Sequence, residues 1–106
     1  MQDSIFTKII KREIPSKILY EDDKVIAIYD VNPVREGHFL VIPKTQVDNI
    51  IQNTEEEFLY AMKIARKLAK EEIIDKGIPG FKIYINTGKT AGQEVFHTHI
   101  HVIPYK

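Results

Sequence analysis

One long amphipathic helix in the middle of the chain constrains the fold more than any other feature. Thr54 and Glu57 form a capping box that starts it, and Gly77 supplies the stop just after Lys76. Apolar residues recur at the helical period between these ends, and the stripe consists of Phe58, Ala61, Met62, Ala65, Leu68 and Ala69. The stripe predicts a helix that packs one face against a sheet.

Five other segments have the composition of β-strands, and a short helix capped by Asp3 or Ser4 and ended by Pro15 precedes them. The first two segments flank the turn at Asp22–Asp23 and predict a hairpin. The third is a near-continuous apolar run, typical of a central strand covered on both faces. The segments are Lys17–Glu21, Lys24–Asp30, His38–Pro43, Phe81–Asn86 and Val95–Ile103, the last ended by Pro104. This order predicts an α+β fold with a mostly antiparallel sheet, in one domain over residues 1–106.

Composition narrows the function classes. Fifteen basic and fifteen acidic residues balance to zero formal charge, so no overall field favours nucleic acid or an anionic membrane. The chain has no cysteine, which excludes disulfides, thiolate metal sites and thiol nucleophiles. No apolar run reaches the length of a membrane span, and the first residues lack the pattern of a signal peptide. We therefore expect a cytoplasmic protein with no nucleic-acid and no membrane partner.

Three of the four histidines alternate in the last predicted strand. Successive side chains of a strand point to opposite faces, so His97, His99 and His101 would share one face. A merely solvated face would carry a mixture of Lys, Thr and Glu instead. A zinc site is one chemical alternative, because His-x-His can direct two nitrogens at one ion and His38 or an acidic residue could add a third ligand. Three histidines in a straight row, however, converge poorly on one small ion.

Nucleophilic catalysis by a neutral imidazole is the other chemical interpretation. An imidazole attacks an electrophile and becomes a good leaving group in the next step. Neighbouring rings in the row can set its tautomer and bind a developing oxyanion. Phosphorus is the natural electrophile, since a phosphohistidine forms and hydrolyses readily. These local considerations leave the substrate open.

The segment GQEVFHTHIHVIP, residues 92–104, resembles the signature of the histidine triad family. The segments IFTKIIKREIPSKILYEDD, VIAIYDVNP and GHFLVIPK are also similar to N-terminal segments of this family, particularly its Hint branch, in the same order. The resemblance covers essentially the whole chain. It implies an α+β domain with a five-stranded antiparallel sheet that pairs with a second copy to form a homodimer. It also implies a hydrolase or transferase acting at the α-phosphorus of purine nucleotides, with no metal and no cofactor.

The resemblance further implies roles for individual residues. His99 would be the nucleophile that carries the nucleotidyl group, His101 would contact the phosphate, and His97 and His38 would support this network. Asp30 would bind the ribose hydroxyls, a task suited to a group that only accepts hydrogen bonds. The apolar pocket for the base would consist of Ile5, Phe6, Ile9, Ile28 and Val31. The phosphate loop would contribute Asn86, Gln93 and the backbone N–H groups near Glu94 and Val95.

Two substrate classes remain open within this resemblance. The Hint-like N-terminal segments favour a nucleoside phosphoramidate or adenylated amine, with AMP or GMP as product. The ending at PYK, soon after the last histidine, is closer to the branch that cleaves dinucleoside polyphosphates. Glu94 stands where animal Hint proteins have serine and resembles bacterial relatives. A nucleotide- or zinc-binding module with little turnover is the alternative from another class.

Overall fold

A computed structural model describes residues 2–106, and Met1, the first residue of the predicted domain, lies outside the described residues. Two α-helices and five β-strands follow one another in the predicted order. They are α1 (Ile5–Ile10), β1 (Ile18–Glu21), β2 (Val25–Tyr29), β3 (Phe39–Pro43), α2 (Glu55–Glu72), β4 (Gly80–Tyr84) and β5 (Ile100–Tyr105). Short 3₁₀ turns at Ile74–Lys76 and Lys89–Ala91 complete the chain path. No helix among residues 2–106 is both long and apolar enough to cross a bilayer.

The strands form one antiparallel sheet in the order β1-β2-β3-β5-β4, which confirms the predicted five-stranded α+β architecture. Strand β3 occupies the centre, paired with β2 along its whole length and with β5 from Phe39 to Val41. All five of its residues are buried, as the near-continuous apolar run predicts.

The two faces of the sheet have separate apolar cores. Helix α2 packs on one face, where Val25, Ala27, Phe39 and Val41 meet its apolar stripe. Helix α1 packs on the other face, against Ile26, Ile28, Leu40 and Ile42. Strict alternation along β2 and β3 therefore sends apolar side chains to both faces. Since α1 has only six residues, it covers β2 and β3 and leaves the face of β5 and β4 open beside it.

Capping chemistry decides where the helices begin. Thr54 and Glu57 form both hydrogen bonds of the predicted capping box at the start of α2. The helix proper ends at Glu72, and the predicted stop at Gly77 follows the 3₁₀ turn with a left-handed φ of 88°. Ser4, rather than Asp3, caps α1 by accepting a hydrogen bond from the Thr7 N–H.

Several predicted boundaries differ from the structure. Besides the end of α2, strand β4 spans Gly80–Tyr84 instead of Phe81–Asn86, and the two larger differences concern α1 and β5. Helix α1 ends at Ile10, well before Pro15, because Arg12 adopts a φ of 65° that turns the chain out of the helix. Strand β5 begins at Ile100 instead of Val95 and runs through Pro104 to Tyr105. Pro104 is tolerated because β3 pairs with β5 only as far as Val102, so no ladder bond requires a proline N–H on that side.

Candidate functional site

A cavity of about 450 Å³ lies on the open part of the sheet, beside α1. Twelve of the fourteen predicted site residues line it: His38, His99, His101, Asp30, Asn86, Glu94, Val95, Ile5, Phe6, Ile9, Ile28 and Val31. His97 and Gln93 lie outside the lining. A second cavity of about 330 Å³, between the ends of β2 and β3 and the start of α2, contains none of the predicted residues.

The three triad histidines lie on one side of an extended segment, although only His101 belongs to β5. Phe6 of α1 contacts the rings of His97 and His99 edge-on, with centroids 5.7 and 5.0 Å away. The ring of His101 lies 4.9 Å from that of His99. Thr98 points to the opposite side and donates its hydroxyl proton to Asn53. The alternation of a strand thus continues outside the hydrogen-bonded ladder.

Hydrogen bonding assigns the proton of His99. Its Nδ1 lies 2.7 Å from the carbonyl oxygen of His97. A carbonyl only accepts, so Nδ1 donates its hydrogen, and a neutral ring then has its lone pair on Nε2. Every fully buried side-chain nitrogen and oxygen in the described chain has a partner. His99 Nε2 has no hydrogen-bond partner among the described residues, so it is not fully buried. His99 lines the cavity, and the lone pair of Nε2 is free there for attack.

His97 is completely buried and held at both ring nitrogens. Its Nε2 lies 2.7 Å from the carbonyl oxygen of Pro43 and must donate to it. Its Nδ1 then accepts, and the hydroxyl of Ser4 lies 2.6 Å away to donate. Because His97 also presents its backbone carbonyl to His99, its contribution is to position the neighbouring ring.

His38 and His101 form a second chain of oriented rings. The Val34 N–H donates to His38 Nδ1 at 3.1 Å, so the hydrogen of a neutral His38 is on Nε2. That Nε2 lies 3.1 Å from His101 Nδ1 and 3.5 Å from an Asp30 carboxylate oxygen. His101 Nδ1 accepts, which places its own hydrogen on Nε2. The ring of Tyr84 stacks on the ring of His101, with the two centroids 4.4 Å apart and an angle of 10° between the planes.

The cluster of Asp30, His38 and His101 has the composition of a metal site, with possible ligand atoms within 4.8 Å of one another. The hydrogen bond that His38 makes outside this cluster argues against metal binding. A metal-binding histidine donates its second ring N–H to a carbonyl or carboxylate. His38 Nδ1 faces the N–H of Val34 instead, so freeing Nε2 for a metal would direct two N–H groups at each other. The arrangement suits neutral imidazoles that are linked by hydrogen bonds better than it suits a zinc ion.

Burial keeps all four imidazoles neutral near pH 7. It lowers the pKa of His99, an effect that its bond to the His97 carbonyl and the charge of Asp30 only partly offset. Burial and the neighbouring rings of His99 and His38 lower the pKa of His101 to about 4. The pKa values of His38 and His97 are lowered chiefly by burial as well. A neutral ring is the form that can act as a nucleophile.

These lowered pKa values predict a pH-dependent stability. An unfolded histidine takes up a proton near pH 6.5, whereas the folded rings resist it until lower pH. Between pH 6.5 and the folded pKa values the unfolded chain therefore binds more protons. We expect the free energy of unfolding to be constant just above pH 7 and to fall as the pH drops from 6.5 toward 4. Denaturant titrations at several pH values measure this, and a free energy that does not change between pH 7 and 5 would contradict it.

The loop between β4 and β5 reaches the cavity with Asn86, Glu94 and Val95. Gly88 and Gly92 adopt φ values of 93° and 92°, which side-chain-bearing residues rarely tolerate. Gln93 is buried behind this loop. Its side chain accepts from the Gly88 N–H and donates to the carbonyl oxygens of Asp48 and Val95. Gln93, predicted as a polar contact for the substrate, therefore braces the loop from behind and does not line the cavity.

Two side chains that contact the histidine rings, those of Tyr84 and Ser4, are not among the predicted site residues. Tyr84 lies at the end of β4, where only its aromatic character could have indicated a stacking partner. Ser4 was expected as a helix cap, and nothing near it in the sequence points to His97, 93 residues away.

Comparisons with known proteins show to which family the chain is similar. The HIT domain family matches residues 11–106. The chain is 49% identical over 104 residues to a 13.1 kDa HIT-like protein of Mesomycoplasma hyorhinis, covering 98% of this chain and 94% of that protein. A HIT family hydrolase from Clostridium thermocellum has a similar structure, with a TM-score of 0.88, 40% identity, and coverage of 100% of this chain and 93% of that one. A histidine triad nucleotide-binding protein from Candida albicans is also similar, with a TM-score of 0.90, 34% identity, and coverage of 98% and 76%.

Proposed function

Because the chain belongs to the HIT domain family, we propose that it is a purine nucleotidyl hydrolase that cleaves nucleoside phosphoramidates or adenylated amines at the α-phosphorus. The observation that supports this most directly is the hydrogen bond from His99 Nδ1 to the His97 carbonyl at 2.7 Å. It leaves the lone pair of a neutral imidazole on Nε2, facing the cavity. Among the similar solved structures, one is named a hydrolase and another a nucleotide-binding protein.

The proposed reaction has two steps. In the first, His99 Nε2 attacks the α-phosphorus, the phosphorus–nitrogen bond breaks, and the amine leaves with a proton taken up from the medium. The His99 ring becomes cationic as it takes the nucleotidyl group, and its Nδ1–H donates to the His97 carbonyl more strongly. In the second, water attacks phosphorus, the bond to His99 breaks, and AMP or GMP leaves. This step returns the proton and the neutral ring.

The other oriented rings would bind the phosphoryl oxygens. His101 has its hydrogen on Nε2 because its Nδ1 accepts from His38. That Nε2–H is a donor set in place before the substrate arrives, so no reorganisation is needed as charge develops in the transition state. Backbone N–H groups of the loop near Glu94 and Val95, which lines the same cavity, would supplement it.

The nucleoside would occupy the part of the cavity between α1 and β2. Ile5, Phe6, Ile9 and Ile28 provide apolar walls for a purine base. Asp30 lies at the end of β2 with one carboxylate oxygen accepting from the Asn32 N–H. Its other oxygen, 3.5 Å from His38 Nε2, retains lone pairs for a hydroxyl donor. The geometry suits a ribose between base and phosphate.

Replacing Asp30 by asparagine tests the ribose contact. The amide keeps the size of the side chain but loses the charge and part of its accepting capacity. We expect KM for adenosine phosphoramidate to rise about tenfold, in line with the loss of a charge-assisted hydrogen bond. The 2′-deoxy substrate should lose little on the same substitution. Equal losses for the ribose and deoxyribose substrates would contradict a role for Asp30 in binding the hydroxyls.

The reaction itself is tested with purified protein, adenosine phosphoramidate and excess EDTA. Release of AMP at an undiminished rate is the expected result, because no step uses a metal ion. Absence of AMP under these conditions would exclude the phosphoramidase function. Parallel assays with diadenosine triphosphate compare kcat/KM for the two substrate classes, the quantity in which discrimination between them is expressed.

We also propose that two copies pair through β4. This strand is at the edge of the sheet, bonded only to β5 among the described strands. Phe81 on it is 38% exposed. Antiparallel pairing of two such edges would extend the sheet to ten strands and satisfy the free backbone groups. Sedimentation equilibrium measures the resulting mass.

A further inference from the structure

The hydroxyl of Ser4 contacts both the first turn of α1 and the ring of His97. It caps α1 by accepting from the Thr7 N–H at 3.0 Å, and it lies 2.6 Å from His97 Nδ1. The hydroxyl has a single proton, and Thr7 Oγ1 is a weaker candidate for it at 3.2 Å. His97 Nδ1 is the stronger acceptor because the hydrogen of that ring is on Nε2, bonded to Pro43. The proton of Ser4 is therefore directed at His97.

The start of α1 is also held from the opposite side. The amide oxygen of Gln46 accepts from the Ser4 N–H at 2.8 Å and from the Thr7 hydroxyl at 2.6 Å. Its amide nitrogen donates to the carbonyl oxygen of Gln2. Since Thr7 gives its proton to Gln46, it does not donate to Ser4, and His97 Nδ1 is the nearer acceptor for the Ser4 proton. The direction of every hydrogen bond in this cluster is thus determined.

Two hydrogen bonds connect Ser4 to the ring of His99, whose Nε2 is the proposed nucleophile. His97 is fully buried, so water does not replace the hydrogen bond from Ser4. The backbone carbonyl of His97 accepts the Nδ1–H of His99 and thereby places the lone pair of His99 on Nε2. Helix α1 contributes Phe6, which contacts the rings of both histidines. Any shift of His97 would move the acceptor on which the tautomer of His99 depends.

We propose that Ser4 is a positioning residue: it holds His97 in the Nε2–H form and so couples α1, one wall of the cavity, to the nucleophilic nitrogen of His99. Ser4 does not line the cavity. Its kinetic role rests on the proposed function, whereas its effect on the His97 ring does not. An effect through His99 predicts a change in kcat with little change in KM.

Three substitutions separate capping from proton donation. Ser4→Thr keeps both, so the ring and kcat should resemble wild type. Ser4→Asp keeps a strong helix cap but only accepts, which requires His97 to hold hydrogens on both nitrogens. Ser4→Ala removes both functions. For the last two we expect kcat to fall about 10-fold to 100-fold, as for a small misplacement of a reacting group. Thr54→Ala is the matched control, because it removes the cap of α2 on the opposite face of the sheet and should leave kcat unchanged.

The decisive measurement is the ¹⁵N spectrum of the histidine rings. Wild type and Ser4→Thr should show His97 as the Nε2–H tautomer, and Ser4→Asp should show it doubly protonated at a pH where wild type is neutral. A His97 spectrum that is the same in wild type, Ser4→Asp and Ser4→Ala would overturn the proposal. This result does not depend on turnover, so it remains distinct from a failure of the phosphoramidase assay. If Ser4→Ala does not fold, Ser4→Asp alone gives the answer, since its helix cap is intact.

Discussion

Replacing His99 by alanine should reduce kcat for adenosine phosphoramidate by at least about 10⁴-fold, the scale of loss when a covalent nucleophile is removed. The reason is geometric. His99 Nε2 is the nitrogen whose lone pair reaches the cavity, because its Nδ1 is occupied by the His97 carbonyl at 2.7 Å. His97 directs its ring nitrogens at Ser4 and Pro43 instead, and His101 Nδ1 accepts from His38. Neither has the same arrangement for attack.

The measurement combines steady-state kinetics with trapping. Wild-type protein mixed briefly with labelled substrate and quenched should hold the nucleotidyl group on His99. Phe96→Ala is a suitable control, because this neighbouring side chain is 43% exposed and does not line the cavity. It should retain wild-type kcat. A His99→Ala protein within tenfold of wild type, or an adduct mapped to another residue, would contradict the assignment.

The second large effect is a loss of kcat/KM, expected at acid pH. In the proposed reaction, attack requires a neutral His99, whose pKa is lowered chiefly by burial. His101, whose pKa is lowered to about 4, would bind the phosphate. We expect kcat/KM to remain high as the pH falls through 6.5, the usual value for histidine. At lower pH it should fall about tenfold per unit, and more steeply where both rings take up protons. A midpoint at or above 6.5 would show that the essential histidine is not shielded from protonation.

Asp30→Asn provides an internal check on that pH profile. The negative charge of Asp30 raises the pKa values of His38, His99 and His101 against the effect of burial. Removing the charge should move the acid limb to still lower pH. A limb that moves to higher pH would mean that Asp30 does not act on these rings through its charge. The same variant thus tests the electrostatics of the site separately from ribose binding.

The parts of the fold that depend on neighbouring residues were predictable. The capping box at Thr54 and Glu57 starts α2 as expected, and the apolar run before Pro43 forms the central strand. Alternation also places the three triad rings near one another. These features arise from hydrogen bonds and side-chain directions within a few residues, so a single segment contains the information. The predicted cavity residues meet because β2, β3 and β5 are adjacent in the sheet.

The last strand shows where local patterns fail. Residues 95–99 alternate as a strand does, yet the ladder begins only at Ile100. At that point the carbonyl of Pro43 accepts from the ring of His97, and the Thr98 N–H donates to Val47. These bonds take the backbone out of the sheet. Gln93 similarly turns away from the cavity because Asp48, distant in sequence, offers it a backbone carbonyl.

The residue types, their spacing and their approximate faces are properties of the sequence, and they indicate imidazole chemistry in an α+β domain. The positions of the protons are not, because those of His97 and His101 depend on partners that folding brings from elsewhere in the chain. Val34 orients His38, which in turn orients His101. Ser4 and Pro43 orient His97, 93 and 54 residues away in the chain. Every ring of the row has a defined tautomer only when these groups are in place.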